Sequence, residues 1–339
     1  MRIGPLFTAV RKGTGSLSSV RERWTAYSRR KHWTQRLKLA VVGKHVHDGY
    51  LFKAALYAVL ISTGVLYLKP LLYMVSTSVK TVADLLDSTV RWLPRQLEWQ
   101  NYADALYGLD YFNALSYTAA VSVSAAVLQT ASCALTGYAF ARLYIPGKNI
   151  LFAVVLLTFI IPPQTVGIAL FVMYSKLGWI NTPLPFLVPA VFAQGLKGAL
   201  FIIIFRQFFS TQPKELEESA KMDGAGALRT FWRIMLPLAR PALLIVFLFS
   251  FVWHWNDYFE PSLYIQNGKH IPLSISMQYL QSNLNGLANT AHGLTQGTFD
   301  LNEPIRMAAA FLIILPPLII YSFFQKYFVQ GIERTGIVE

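Results

Sequence analysis

Long stretches without a charged residue constrain the fold of this chain more than any other feature of its sequence. Residues 111–141, 149–175 and 307–325 contain no Asp, Glu, Lys or Arg. A helix that crosses a bilayer needs about 20 predominantly apolar residues, so each stretch is long enough to hold one. Charged residues make up only 14% of the chain, whereas a typical soluble domain carries about 25%. The sequence therefore predicts an all-α membrane protein.

Six predicted transmembrane helices account for the apolar pattern. They cover approximately residues 51–79, 111–141, 150–175, 185–209, 237–256 and 307–328. Lys197 interrupts the fourth of them. Between the last two, residues 281–303 are rich in Asn, Gly, Ser and Thr and are predicted to be irregular. The chain thus divides into a basic N-terminal tail, residues 1–50, and a six-helix transmembrane domain, residues 51–339.

Positive charge is distributed unevenly between the two sides of the predicted helices. Of the 30 Lys and Arg residues, 22 lie in the N-terminal segment through Lys53, the 142–148 turn, the 206–240 loop and the C-terminus, whereas 6 lie in the opposite loops. By the positive-inside rule, both termini and the 206–240 loop are predicted to be cytoplasmic. The tail is predicted to contact anionic membrane lipid rather than nucleic acid.

The acidic residues bear on how such a protein is energised. None lies inside the first four or the sixth predicted helix, and Asp257 and Glu260 lie at the outer end of the fifth. Ion-coupled transporters depend on carboxylates or histidines at membrane depth, so an ion-coupled secondary transporter is the disfavoured alternative. A membrane-embedded glycosyltransferase is another alternative, but the acidic residues of the outer loops show no metal-ligand spacing. No catalytic residue and no metal site are predicted.

The cytoplasmic segment 213–237 is predicted to form two short helices joined by glycines. Pro213 suits a first helical turn, and the acidic residues that follow complement the positive end of a helix. Gly224 and Gly226 stand where a left-handed cap would end the first helix. The second helix has a predicted apolar stripe, formed by Leu228, Phe231, Trp232 and Met235. The residues alone leave two interpretations open: a stiff contact for a soluble partner, or an amphipathic hairpin on the membrane surface.

A long motif in this segment is similar to that of a known family. Glu218-Ser219-Ala220, then Gly224, then Ile234-Met235-Leu236-Pro237 resembles the E-A-A-x3-G-x9-I-x-L-P signature of ABC-importer permeases. Only Ser219 departs from it. Further segments resemble the maltose-type carbohydrate permeases in the same order along the chain, including 137–142, 161–164 and 255–257. The similarity extends over roughly residues 51–330 and implies the type I ABC importer permease fold.

The resemblance implies a transport subunit rather than an enzyme. Such a subunit moves sugars, oligosaccharides in particular, across the prokaryotic inner membrane by ATPase-driven alternating access. The implied partners are a second, different permease, two ATPase subunits and a soluble substrate-binding protein. ATP and Mg²⁺ would be used by the ATPases, and this chain, which has no GxxxxGK[ST] loop, would bind no cofactor. The positions that the resemblance assigns to ATPase coupling are Glu217, Glu218, Ala220, Asp223, Gly224, Ile234, Leu236 and Pro237.

Candidate substrate-contacting residues combine aromatic faces with hydrogen-bonding groups, as sugar sites do. They are Gln164, Lys197, Trp253, Trp255, Asn256 and Tyr258. For those at the end of the fifth helix, an aromatic belt at the membrane interface is the alternative. A lysine near mid-membrane costs about 2.5–3.5 kcal/mol on insertion, so Lys197 is predicted to face a partner or a water-filled cavity. It would meet either an anionic group of an acidic oligosaccharide or backbone carbonyls.

Overall fold

A computed structural model of the chain describes residues 50–266, 270–291 and 303–336. Every regular element within these residues is helical, which confirms the predicted all-α class. The chain divides after Leu72 into two units. The first contributes most of the helix Tyr50–Ser78, and the second holds the other described elements. Residues 1–49 of the predicted basic tail lie outside the described residues.

The helices of the described residues are numbered α1 to α15 in chain order. The first eight are α1 Tyr50–Ser78, α2 Val82–Leu86, α3 Gln100–Gly108, α4 Tyr111–Arg142, α5 Lys148–Ile160, α6 Pro163–Lys176, α7 Leu184–Val191 and α8 Gly198–Thr211. The others are α9 Glu215–Met222, α10 Ala227–Leu238, α11 Arg240–Asn256, α12 Phe259–Tyr264, α13 Leu273–Ser276, α14 Leu280–Ala291 and α15 Glu303–Gly336. Within α10, Phe231–Met235 form a π-helical turn.

Three of these helices, α1, α4 and α15, are long and apolar enough to cross a bilayer. Two pairs meet the same criterion together but are sharply bent, α5 with α6 by 99° and α10 with α11 by 80°. The described residues therefore contain three to five candidate spans by length and composition, compared with six predicted. One missing span is the predicted fourth, at residues 185–209, which is split into the short helices α7 and α8. The predicted third and fifth spans are found only if each bent pair counts as one span.

Prolines explain the sharp bend between α5 and α6. Pro162 and Pro163 follow the end of α5 at Ile160, and Pro163 is the first residue of α6. A proline cannot donate a backbone hydrogen bond and disfavours the helical conformation of the residue before it. It is tolerated in a first turn, where its missing N–H would have no partner. The Pro-Pro pair therefore ends one helix and begins the next.

Left-handed residues explain the break between α7 and α8. Ala193, Gly195 and Lys197 have φ values of 57°, 91° and 60°. A right-handed helix cannot continue through such residues, and outside glycine the left-handed conformation needs support from surrounding contacts. The loop 192–197 is consequently a sharply folded segment inside the predicted fourth span.

The central helix of the second unit is α4, which packs against α7, α8 and α11. Its buried face consists largely of small side chains, among them Ala125, Ala126 and Ala134. At Gly137, an added Cβ would lie only 2.5 Å from the Cβ of Phe205 in α8. Small residues allow the close helix approach on which association in lipid depends. The sequence of α4 thus suits a helix surrounded by others.

The segment between α11 and α15 contains more helix than predicted. Residues 281–303 were expected to be irregular, but most of the first half forms α14. Leu280 and Leu284, both 2% exposed, lie four residues apart and pack in the same cluster as Ala105 of α3. This one-sided apolar contact stabilises a helix whose polar composition favours a loop. Residues 292–302 lie outside the described residues.

Candidate functional site

The loop 213–237, which we call the coupling loop, folds into α9 and α10 joined by a glycine turn. The first helix begins at Glu215, two residues after the predicted start. Gly224 follows it with φ +73°, the left-handed conformation expected of a helix end. Gly226 has φ −73° and is the residue before α10, so Gly224 alone of the two glycines provides the left-handed cap.

The predicted apolar stripe of the second helix is not continuous. Phe231 and Met235 are 1% and 0% exposed, whereas Leu228 and Trp232 are 65% and 58% exposed. The π-helical turn over Phe231–Met235 explains the discrepancy, because it places one extra residue in a turn and changes which side chains share a face. An amphipathic pattern with regular α-helical spacing could not reveal this.

The eight residues assigned to ATPase coupling differ in burial. Glu217 and Ala220 are buried, and Ile234 and Leu236 are half-buried. The exposed members are Glu218, Asp223, Gly224 and Pro237. The motif thus has an inner side, which contacts the rest of the chain, and an outer side that is open. Their role in coupling stays a prediction.

Arg142 and Glu217 form a buried ion pair that the sequence reasoning missed. Arg142 Nε lies 3.6 Å from Glu217 Oε1, with only 6% and 11% of the two side chains exposed. The same guanidinium donates hydrogen bonds to the backbone oxygens of Phe209, at 2.8 Å, and Gln212. One sequence feature could have indicated this ion pair: Arg142 is the charged residue that ends the longest uncharged stretch.

An aromatic cluster lies beside this ion pair. Tyr138 of α4 packs against Phe209 of α8, with ring centroids 5.6 Å apart, and against Phe231 of α10, at 5.2 Å. All three rings are at least 97% buried. The coupling loop is therefore attached to the end of α4 through both of its helices.

A cavity of about 250 Å³ opens where the two broken segments meet. Its polar lining comes from Thr158 of α5, Gln194 and Lys197 of the loop 192–197, and Glu260 of α12. The Lys197 Nζ lies 5.8 Å from the centre of the Trp253 ring, a cation–π contact. Lys197 thus lines this cavity together with Glu260, which the sequence analysis assigned to the end of the fifth predicted helix. The substrate role of Lys197 stays a prediction.

The loop that carries Lys197 is held by a fully buried amide. Gln129 of α4 donates from Nε2 to the backbone oxygens of Gln194, at 3.2 Å, and Leu196, at 3.0 Å. Its Oε1 accepts a hydrogen bond of 2.6 Å from Ser250 of α11. A buried amide satisfied at both ends is favourable, whereas its removal would take a hydrogen-bond partner from two backbone oxygens and from the Ser250 hydroxyl. Gln129 therefore fixes the shape of the cavity wall.

The remaining predicted substrate residues are not brought together. Trp253 stacks on Phe201 at 5.5 Å, whereas Trp255 lies in another cluster against Phe251 at 5.4 Å. Gln164 and Asn256 are exposed. The Tyr258 hydroxyl accepts a hydrogen bond from Gln278. Of these residues, only Trp253 contacts Lys197, and the substrate role of the set stays a prediction.

Within the described ranges, no group of three or more His, Cys, Asp or Glu side chains is placed to hold a metal ion.

Most of the chain is similar to known proteins. The family model described as "Binding-protein-dependent transport system inner membrane component" covers residues 133–334. The osmoprotective compounds uptake permease protein GgtD of Synechocystis sp. is 30% identical over 292 residues, covering 84% of this chain and 92% of that protein. The maltodextrin transport system permease protein MalD of Streptococcus pneumoniae is 28% identical over 293 residues, covering 84% and 95%.

A solved structure has a similar fold. It is a bacterial ABC transporter involved in the import of the acidic polysaccharide alginate, and one of its chains matches with a TM-score of 0.64 and 23% identity, covering 82% of this chain and 96% of that one. The family match begins inside α4 and includes the cavity-lining loop and the whole coupling loop. The chain therefore belongs to the family of binding-protein-dependent transport system inner membrane components, the permease subunits of ABC importers.

Proposed function

We propose that this chain is one half of the translocation pathway of an ATP-driven oligosaccharide importer. The observation that carries the proposal is the coupling loop, whose outer side bears Met222, Leu228 and Trp232 at 88%, 65% and 58% exposure. Exposed large apolar side chains on a short, otherwise polar loop indicate a protein contact. A soluble partner is favoured over a hairpin on the membrane surface because the inner side is already anchored to α4 and α8.

ATP hydrolysis takes place in two separate ATPase subunits, which bind ATP and Mg²⁺. This chain has no phosphate-binding glycine loop and contributes neither catalysis nor a cofactor site. The exposed residues of the motif, Glu218 and Asp223, face the ATPase, and Gly224 shapes the turn between the two contacting helices. Membership of the permease family also argues against the ion-coupled and glycosyltransferase alternatives.

Six crossings complete the transmembrane domain, with α7 and α8 together serving as the fourth. Irregular backbone at membrane depth is tolerated where it lines a cavity, as the loop 192–197 does. Both termini and the coupling loop then lie in the cytoplasm, which agrees with the distribution of Lys and Arg. A second, different permease completes the pathway, and a soluble binding protein delivers the sugar from outside.

The cargo contacts the cavity around Lys197. The ammonium group donates hydrogen bonds, and the Glu260 carboxyl and the Gln194 amide supply acceptors around the same space. No hydrogen bond from Lys197 to a backbone carbonyl occurs within the described residues, which argues against a purely structural lysine. Sugar hydroxyls both donate and accept, so they match this lining. The proteins similar to this chain include a maltodextrin permease, and the similar structure imports alginate.

Affinity purification from native membranes tests the proposal. We expect an ATPase and a second permease to co-purify with this chain. When the purified complex is reconstituted into proteoliposomes with the binding protein, we expect ATP-dependent uptake of labelled maltotriose. Trp232→Glu should abolish recovery of the ATPase, because a charge would replace a ring that the ATPase covers in the proposed interface. Leu93→Glu is the matched control, since Leu93 is 85% exposed and lies in a loop predicted to be external. Recovery of the ATPase with Trp232→Glu, or its absence from the wild type, would show that the proposal is wrong.

A further inference from the structure

We propose that Arg142 is a positioning residue that transmits movement of the coupling loop to α4. The coupling loop is covalently continuous with α8 and α11, so the chain alone would carry movement to those two helices. The side-chain contacts add a third, α4, which is far from the loop in sequence. This inference rests on the proposed function, because the movement is the one that an ATPase would impose.

Arg142 joins three elements at one point. Its Nε lies 2.8 Å from the backbone oxygen of Phe209, and a second nitrogen bonds the backbone oxygen of Gln212, where α8 ends. Glu217 Oε1 of α9 lies 3.6 Å from the same Nε. A planar guanidinium can make such contacts in several directions at once, which a lysine ammonium cannot reproduce with the same geometry. The last turn of α4, the end of α8 and the first coupling helix therefore meet on one side chain.

The ion pair with Glu217 is the contact that belongs to the coupling loop. Glu217 Oε1 is buried and accepts no hydrogen bond within the described residues. Among the charged side chains nearby, Lys214, Glu218 and Lys221 line the same open pocket but form no ion pair with Glu217 within 4 Å. Arg142 is thus the compensating charge, and a buried carboxylate separated from it would be strongly disfavoured. Displacement of α9 should therefore move Arg142 with it.

The aromatic cluster reinforces the same attachment. Tyr138, one turn before Arg142 on α4, packs against Phe231 of the second coupling helix, with centroids 5.2 Å apart. It also packs against Phe209 of α8. The two coupling helices thus contact α4 independently, one by charge and the other by ring packing. A rotation of the whole coupling loop would act on α4 at two adjacent turns.

Movement of α4 reaches the candidate substrate cavity. Gln129 lies on the same helix as Arg142, about 20 Å away at 1.5 Å per residue. It donates hydrogen bonds to the backbone oxygens of Gln194 and Leu196, which belong to the cavity-lining loop. A rigid helix therefore connects the ion pair at the cytoplasmic end with the wall that carries Lys197. The contacts thus form a continuous physical route from the coupling loop to the cavity wall. Whether movement at one end changes the other has to be measured.

A single-cysteine accessibility assay in the assembled importer tests the route. Gln194→Cys places a thiol in the cavity lining, in a Cys133→Ser background that removes the one native cysteine. The rate of reaction with a water-soluble maleimide is compared in the absence of nucleotide and after trapping with ATP and vanadate. We expect a change of about fivefold or more with Arg142 and Glu217 intact, the lower end of ordinary allosteric coupling.

Glu217→Gln and Arg142→Gln should each abolish the change in rate. Recovery of the ATPase is measured in the same preparations, and its loss with Glu217→Gln would make Glu217 a docking contact and overturn the inference. The double variant should show the same loss of response as either single variant, because the two substitutions remove the same contact. Arg142→Lys should restore only part of the response. Arg206→Gln is the matched control: Arg206 stacks on Phe152 at 4.1 Å, near the same end of α8, without an ion pair to the coupling loop.

The outcomes separate this inference from the proposed function. If the wild type responds and Glu217→Gln responds equally, Arg142 does not transmit the movement and the inference is wrong, whatever the function. If only Arg142→Gln loses the response, the hydrogen bonds to α8 carry it and the proposed route through Glu217 is also wrong. If no ATPase is recovered with the wild type, both proposals are wrong. If Arg142→Gln fails to assemble, the response of the isosteric Glu217→Gln variant decides whether the ion pair transmits the movement.

Discussion

At the scale of single residues, a few buried polar side chains determine how apolar helices are arranged. Gln129 is 0% exposed in the middle of α4, yet each end of its amide has a partner. Dispersion between apolar side chains is not directional, whereas hydrogen bonds are, so such residues select one arrangement among several of similar packing energy.

Gln129→Leu should destabilise the protein. The substitution removes two donated hydrogen bonds and one accepted bond, leaving the oxygens of Gln194 and Leu196 and the Ser250 hydroxyl without this partner. Each buried unsatisfied group costs about 1–3 kcal/mol. We expect a lower midpoint of thermal unfolding in detergent. Gln164→Leu, at an exposed position, is the control. Equal midpoints for the two variants would contradict the role given to Gln129.

Lys197→Met should lower the uptake of neutral and acidic sugars by similar factors. The cavity holds the Lys197 ammonium and the Glu260 carboxyl group, so recognition of hydroxyls should dominate over recognition of a carboxylate. Loss of a hydrogen bond from a charged donor corresponds to about 1.5–3 kcal/mol, roughly a 10- to 150-fold decrease in affinity. The effect of the substitution is measured as the uptake of maltotriose and of a uronate trisaccharide. Lys176→Met, at the end of α6, is the control. A loss confined to the uronate would instead indicate an acidic cargo.

At the scale of helices, the breaks carry the functional features. The Pro162-Pro163 break and the loop 192–197 both contribute to the cavity. The glycine turn between α9 and α10 shapes the coupling loop. These helices do not end where hydrophobicity ends. They end where a proline or a left-handed residue interrupts the backbone hydrogen bonds.

Gly224→Ala should loosen the coupling loop, and Gly226→Ala should not. The φ of +73° at Gly224 is unfavourable for any residue with a Cβ, whereas Gly226 at −73° accepts alanine, and neither added Cβ meets another atom within 4 Å. The left-handed conformation costs an L-residue about 1–2 kcal/mol. Amide hydrogen exchange of α9 and α10 measures the effect, expected as faster exchange in the first variant alone. Identical exchange in both variants would mean that the turn is not strained.

At the scale of the whole molecule, the distribution of charge predicts the orientation in the membrane. Most Lys and Arg residues fall on the side of the coupling loop, and that side faces the cytoplasm in the proposed topology. The proposed ATPase contact requires this orientation, because ATP is available in the cytoplasm.

Met222→Cys and Leu93→Cys should react with a membrane-impermeant maleimide from opposite sides. Both side chains are highly exposed, at 88% and 85%, and both variants are made in the Cys133→Ser background. We expect Leu93→Cys to be labelled in intact spheroplasts and Met222→Cys only in inside-out vesicles. Permeabilised membranes, where both should react, provide the control. Labelling of Met222→Cys from outside would reverse the orientation and remove the basis of the proposed function.

The helical class, the positions of most candidate spans and the permease-family motif could be predicted from the sequence. Each of these depends on residues close together in the chain: an uncharged stretch between Asp110 and Arg142, or a motif within residues 213–237. The prolines at 162 and 163 marked one break in the same local way, and the mid-membrane cost of Lys197 indicated a cavity.

The partners of those residues were decided only by the tertiary structure. Arg142 meets Phe209, 67 positions away, and Gln129 meets Ser250, 121 positions away. Neither hydropathy nor periodicity specifies which distant group a buried charge or amide will contact. The π-helical turn in α10 likewise depends on burying Phe231 and Met235 against other helices. The sequence by itself determined that the chain enters a membrane as helices. Long-range packing decided where those helices break, which polar groups pair, and how the coupling loop is joined to α4.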